Sequence, residues 1–280
     1  MIEIGNIKVT LFDGGRLKLD GGAMFGIIPK VLWQKLSPPD DLNRIQLATT
    51  CLLIETAGRR VLVETGVGHK YSPKDRDIFG IGPTWILDSL TAARVEPESI
   101  DTVVLTHLHF DHAGGATRLN ENGQAVPTFP RATYIVQRGE WDDAQNGYYV
   151  MNATYRSENL DPLAASGRLK LVEGEGEVAP GICVRPLPGH TRYQQAVIIR
   201  SGGRTALQPA DLMPTAAHVG IRYNMAYDLL PYDNMQNKKQ LLAEAVGGQY
   251  LLLLGQDPHH TAFAVRQTAS ERYELERAPQ

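Results

Sequence analysis

Three imidazoles and one carboxylate stand within six residues at His107-Leu108-His109-Phe110-Asp111-His112, and no other stretch constrains the fold as tightly. Imidazole nitrogen and carboxylate oxygen are the donors that divalent zinc, cobalt, iron and manganese accept. Donors this close must be held rigidly if they are to share an ion. The residues before them, Thr102-Val103-Val104-Leu105-Thr106, are β-branched and apolar and predict a buried strand. Those after, Ala113-Gly114-Gly115-Ala116, are small and predict a flexible turn. The ligands therefore sit on a loop leaving a strand end. A purely structural zinc site normally closes four positions and uses cysteine. This cluster contains no cysteine and has donors for more than one ion.

Flanking segments predict a sheet-rich chain with interspersed helices. Strands are expected at Ile7 to Phe12, in a hairpin of Leu47 to Thr56 with Arg60 to Thr65, and at Thr133 to Val136. More follow at Leu169 to Val172, Ile182 to Leu187, Ala196 to Arg200, Thr205 to Gln208 and Tyr250 to Leu254. Helical spacing marks a short helix after Pro29, Trp85 to Arg94, and Asn237 to Val246. The polar and aromatic stretch from Gln137 to Asp161 is expected to cover something, and the charged residues from Ser270 onward to fray. The run Glu173-Gly174-Glu175-Gly176-Glu177 predicts a solvated turn.

Composition narrows the function classes. The net charge of −3 argues against a nucleic-acid partner, which calls for a basic surface. No apolar run approaches the ~20 residues that cross a bilayer, so no membrane role is expected. The first residues alternate like a strand, unlike a signal peptide. Cys51 and Cys183 lie in apolar strand-like segments and predict two buried free thiols, which fits a cytoplasmic location.

Three later positions repeat one pattern, a strand followed by a potential ligand. His190 follows Pro188-Gly189, Asp211 follows Gln208-Pro209-Ala210, and Gln256, Asp257, His259 and His260 follow Tyr250 to Gly255. An open sheet gathers such strand-end loops at one edge. The order His107-x-His109-x-Asp111-His112, then Gly189-His190-Thr191, then Asp211, resembles the metallo-β-lactamase-fold hydrolase superfamily from roughly Leu47 to His260. Val63-Glu64-Thr65-Gly66 is similar to its strand-end segment, where Asp is commoner. Asp211 to His218 with Tyr227-Asp228 looks like its lactonase- and esterase-like branch.

The resemblance implies an α/β (α+β) fold, a four-layer αββα sandwich of two mixed sheets, as one domain over residues 1–280. It implies one or two divalent ions, zinc first, with iron, manganese or cobalt also suited. His107, His109 and His190 would bind one ion, Asp111 and His112 would contribute to another, and Asp211 would bridge both. Asp111 and Asp211 would also position the nucleophile and carry its proton, so they are the catalytic candidates. Glu64 would orient a ligand histidine. The family's final ligand histidine falls at Gln256, a neutral and weaker donor, which puts the second ion in doubt. His259 or His260 would have to replace it by a local shift.

The tyrosine that acyl-homoserine lactonases place three residues after this aspartate is Pro214 here. His218 and Tyr223 are the substitutes considered for a hydrogen bond to substrate. The implied reaction is metal-dependent hydrolysis of a lactone or small ester, with organophosphates as side substrates. Phe25, Trp33, Trp85, Trp141, Tyr148 and Tyr149 are aromatic candidates for the pocket, with core packing the simpler role for most. The alternatives are a redox-active di-iron protein and a metal-binding protein without hydrolysis. The intact histidine pattern argues against the first, and Gln256 keeps the second open. The alternating N-terminal strand and Gly21 to Gly26 are candidate surfaces for a homodimer, or else core.

Overall fold

The computed structural model describes residues 1–146 and 153–279. Two sheets form from segments whose side chains alternate between two apolar environments. The first sheet contains β1 (Ile2–Ile4), β2 (Ile7–Asp20), β3 (Arg44–Thr56), β4 (Arg59–Val63) and β5 (Thr102–Val104). After a small ribbon of β6 (Thr117–Leu119) with β7 (Ala125–Pro127), it continues through β8 (Thr133–Gln137) and β9 (Leu169–Val172). Pairing is antiparallel from β1 to β4 and parallel from β4 through β5 and β8 to β9.

The second sheet runs in chain order through β10 (Gly176–Ala179), β11 (Ile182–Pro186), β12 (Gln195–Ser201), β13 (Arg204–Gln208), β14 (Leu251–Leu253), β15 (Ala262–Gln267) and β16 (Tyr273–Arg277). Only β13 and β14 pair in parallel. The helix Pro231–Gly247 supplies the crossover between them.

Alternation assigns the faces. In β4, Val61 and Val63 face the second sheet while Leu62 faces the outer helices. In β12, Val197 and Ile199 point inward, and Ile198 packs outward with Leu241, Leu242 and Ala245 of the crossover helix. On the other side Ile86, Leu90, Leu160 and Leu163 cover the first sheet. The result is the αββα sandwich expected from the resemblance.

Several local expectations are corrected. β2 does not stop at Phe12 but continues to Asp20 through an irregularity between Asp13 and Arg16, at Gly14 and Gly15. The crossover helix starts at Pro231, in the first-turn position where a missing N–H costs nothing. The charged C-terminal segment does not fray but forms β16 on the edge of the second sheet. Gly176 and Glu177 of the acidic run enter β10, also an edge strand. Ile2, Ile4, Ile7 and Val9 of the N-terminal strands, and Met24 and Phe25 after Gly21, are core rather than free surface. Both cysteines are free, with Cys51 buried but Cys183 only half-buried.

The run Ala113-Gly114-Gly115 is small for closeness rather than flexibility. A Cβ on Gly114 would lie 2.0 Å from the Val67 carbonyl oxygen, and one on Gly115 would lie 2.1 Å from that of Thr65. The turn after β4 thus packs directly on the backbone below the histidine cluster, with a bridge between Gly66 and Ala113.

Candidate metal centre

The C-terminal ends of β4 and β5 meet those of β11, β13 and β14 along one edge of the sandwich, and the strand-end residues converge there. Glu64 follows β4, the histidine cluster follows β5, His190 follows β11, Asp211 follows β13 and Gln256 follows β14. Two of these ends are strained. Glu64 and Ala210 both adopt left-handed backbone conformations, with φ of 66° and 52°. Such conformations are uncommon for residues with a Cβ and cluster at functional sites.

Two groups of potential ligands share His107. Donor atoms of His107, His109 and His190 lie within 4.8 Å of one another, as do those of His107, His112 and Asp211. Asp211 faces both ways, with Oδ1 3.4 Å from His112 Nε2 and Oδ2 3.7 Å from His190 Nε2. Asp111 Oδ2 is 3.5 Å from His112 Nε2. His107, Asp111, His112, His190 and Asp211 are all buried.

The partners of the outer nitrogens set the tautomers. His190 Nδ1 donates to Asp228 Oδ1 at 2.9 Å, which turns Nε2 toward the cluster, 3.0 Å from His109 Nδ1. His112 Nδ1 lies 3.2 Å from Glu64 Oε2, and Glu64 Oε1 accepts from the Thr106 N–H at 2.9 Å. His107 Nδ1 lies 3.0 Å from the Thr106 hydroxyl, while its buried Nε2 has no hydrogen-bond partner among the described residues. An inward-facing imidazole nitrogen left without a partner is the feature a bound cation satisfies. The donor set of nitrogen and carboxylate oxygen fits a divalent transition ion.

Charge does not follow the same division, since burial lowers His190 of the first group but the carboxylates of Asp228 and Asp211 outweigh it and push that ring up. Burial, with the neighbouring imidazoles adding to it, pushes His107 and His109 well below the usual histidine range. Burial acts the same way on His112, but the carboxylates of Asp211, Asp111 and Glu64 outweigh it and push that ring well up. Burial raises Asp111. Burial opposes ionisation of Asp211 too, yet His112 and His190 draw it down to about 2. Asp111 and Asp211 both stand within 3.5 Å of His112 Nε2, so the carboxylates lie on that side of the cluster.

A cavity of about 430 Å³ opens on this edge. Its floor carries His109, Asp111, His190, Asp211 and Gln256, and its walls include Leu19, Phe79, Phe110, Tyr227 and Leu229. These are not the aromatics considered from the sequence. Phe25, Trp33 and Trp141 are core residues, and Trp85 packs on His69. Tyr148 and Tyr149 lie outside the described residues.

The considered substrate contacts are also placed elsewhere. Both nitrogens of buried His218 are engaged, Nε2 with the Met24 carbonyl and Nδ1 with the Thr215 hydroxyl, each at 2.8 Å. Its ring stacks on Phe25, which Tyr223 meets edge-on. The cavity tyrosine is instead Tyr227, whose ring meets His190 edge-on while its hydroxyl turns inward to Met24 Sδ. His259 and His260 do not reach the cluster. Their N–H groups bond Asp257 Oδ1, His259 is exposed, and His260 Nε2 meets the Ala278 carbonyl.

Two supporting carboxylates were given no role from the sequence, where Asp228 entered only beside Tyr227 in the resemblance. Asp228, which fixes His190, lies 38 residues beyond it with no spacing to mark it. Glu140, fully buried on the helix Arg138–Gln145, accepts from the Leu108 N–H at 3.1 Å, the Tyr155 hydroxyl at 2.9 Å and the Thr191 hydroxyl at 2.7 Å. It ties the loop holding His107 and His109 to the loop holding His190.

A fold of two sheets with a histidine-rich centre at their common edge defines a class, and the sequence matches that class directly. Residues 44–255 match the metallo-beta-lactamase superfamily, and the chain belongs to it. Among relatives, it is 30% identical over 171 residues to an N-acyl homoserine lactonase of Bacillus cereus. That match spans 57% of this chain and 61% of the relative's length. A probable metal-dependent hydrolase from Staphylococcus aureus superposes over all of both chains with a TM-score of 0.89 and 31% identity. A dizinc quorum-quenching lactonase shares the fold at 17% identity and a TM-score of 0.80, over all of this chain and 97% of its own.

Proposed function

We propose that this chain, as one domain over residues 1–280, is a metal-dependent hydrolase that opens lactones or cleaves small esters. The observation that carries the reading is the pair of ligand groups sharing His107 at the floor of an apolar-walled cavity. His107, His109 and His190 would hold one divalent ion, and His112, Asp111 and Asp211 face the position of a second. Divalent ions bound there, zinc first, lower the pKa of water from 15.7 to about 7 and polarise a carbonyl oxygen.

The chain's own groups do the rest. Asp228 and Glu64 hold His190 and His112 in the tautomers that turn Nε2 inward. Asp111 and Asp211 present carboxylate oxygens on the cavity floor, where they take the proton of the attacking water and return it to the leaving oxygen. Burial of its hydroxyl, and then the nearby carboxylates, push Tyr227 well up, so it stays protonated on Met24 Sδ and offers the cavity its ring beside His190. Leu19, Phe79, Phe110 and Leu229 form an apolar wall suited to an acyl chain, and the cavity's size fits a small molecule.

The lactonase relative makes N-acyl homoserine lactones the first substrates to try. Organophosphate turnover would use the same floor. The free thiols favour a cytoplasmic location. The test is acid release, followed by pH-stat, from a panel of acyl homoserine lactones, simple lactones, aryl esters and phosphotriesters. Turnover of a lactone or ester by metal-loaded protein supports the reading. Inactivity of fully loaded protein across the panel rejects it.

A further inference from the structure

The two ligand groups differ in what closes them. The first consists of three imidazoles. The second meets Gln256, whose side chain is buried against it, 2% exposed. Gln256 Nε2 donates to Asp111 Oδ2 at 2.7 Å and stands 3.1 Å from His112 Nε2 and 3.4 Å from Asp211 Oδ2. Two carboxylates thus converge on one amide nitrogen, with the His112 ring beside it. That nitrogen is no metal ligand, but its two hydrogens turn partial positive charge toward these acceptors. The other amide atom, Oε1, is buried and has no hydrogen-bond partner among the described residues.

The backbone keeps the amide in place. The Gln256 N–H donates to the Pro214 carbonyl at 3.1 Å, and its carbonyl accepts from Ala48 at the same distance. Asp257 then anchors the next turn by accepting from Ala216, His259 and His260. Neither His259 nor His260 can shift into the place of Gln256 without breaking these bonds.

We propose that the Gln256 amide is a built-in stand-in for the second cation, so that the protein holds one ion tightly and a second only in competition with this amide. The inference rests on the reading that the cluster binds divalent ions. It names Asp111, His112 and Asp211 as the contested side and His107, His109 and His190 as the permanent one. A second ion must strip the amide from Asp111 and gains at best a neutral oxygen in return. Its binding is therefore weaker than that of the first by roughly 10- to 100-fold, the worth of one charge-assisted hydrogen bond.

The experiment is equilibrium dialysis of stripped protein against Zn(II), with elemental analysis, and the same titration with Co(II) read by electron paramagnetic resonance. Wild type is expected to take up one tight equivalent, and its one-equivalent Co(II) form to show an uncoupled spin. Gln256→His is expected to bind two tight equivalents and give a spin-coupled Co(II) pair. Should that variant misfold, Gln256→Glu keeps the side-chain length and offers an ionic ligand, with the same expected gain. Two equivalents of equal affinity in wild type, or no gain in the folded variants, overturns the inference and leaves the metal reading standing. No tight equivalent in wild type removes the metal reading and the inference with it.

Discussion

Removing the Glu140 carboxylate isolates the brace between the two ligand loops. In Glu140→Ala, the Leu108 N–H and the Thr191 hydroxyl are left in fully buried surroundings, and the Tyr155 hydroxyl loses the same partner. Each orphaned buried donor costs about 1–3 kcal/mol. Burial also pushes the Glu140 carboxyl up, so the native protein already bears a desolvation cost that the alanine variant escapes. The net loss expected is therefore toward the low end of the sum, about 3 kcal/mol. Glu140→Gln keeps an acceptor for Leu108 and Tyr155 and reverses the bond to Thr191, so it should lose only about 1 kcal/mol. Urea unfolding of the metal-free proteins measures both. Because Leu108 separates two ligands and Thr191 follows a third, the alanine variant should also bind the first ion about 10- to 100-fold more weakly. A Glu140→Ala protein within about 1 kcal/mol of wild type, or a glutamine variant as damaged as the alanine, would refute the reasoning.

Two further outcomes follow from the histidines. Asp228→Asn removes the charge behind His190 Nδ1 and sets an amide against the Met225 N–H that now donates to Oδ2, so affinity for the first ion should fall about 10- to 100-fold by calorimetry. Unchanged affinity would mean that Asp228 does not act through His190. Burial holds His218 down to about 4, against an ordinary value of 6.5. The unfolded chain therefore binds one more proton than the folded one between those values. The contribution of His218 is complete above pH 6.5 and is lost as pH falls toward 4, by about 3 kcal/mol in all. His218→Gln should flatten the acid limb of the unfolding free energy over that window relative to wild type, and parallel limbs would contradict the assignment.

What could be read from sequence followed from how the site is distributed. The His107 to His112 cluster is contiguous, so its donors announced themselves. His190, Asp211 and Gln256 were legible because each follows a strand, and parallel strands bring their ends to one edge. Glu140 carried no such mark, and Asp228 was noted beside Tyr227 without a role, since what each acid does depends on a loop far away in sequence. β15 and β16 were missed because the apolar start of β15, Ala262 to Val265, is short, and the alternation of Tyr273 and Leu275 with Glu274 and Glu276 in β16 is brief and set among charged residues. The cavity walls were missed for a related reason. Leu19, Phe79, Phe110 and Leu229 come from four separate segments, and only the assembled fold shows that they share a space.

The central claim is that bound metal at the His107, His109 and His190 group makes this chain a lactone hydrolase. It is tested most directly by titrating stripped protein with Zn(II) while following ring opening of an acyl homoserine lactone. The account predicts no turnover in stripped protein, activity that appears as the first equivalent is added, and loss of that activity in His107→Ala. Undiminished hydrolysis by protein shown to be free of metal would contradict it.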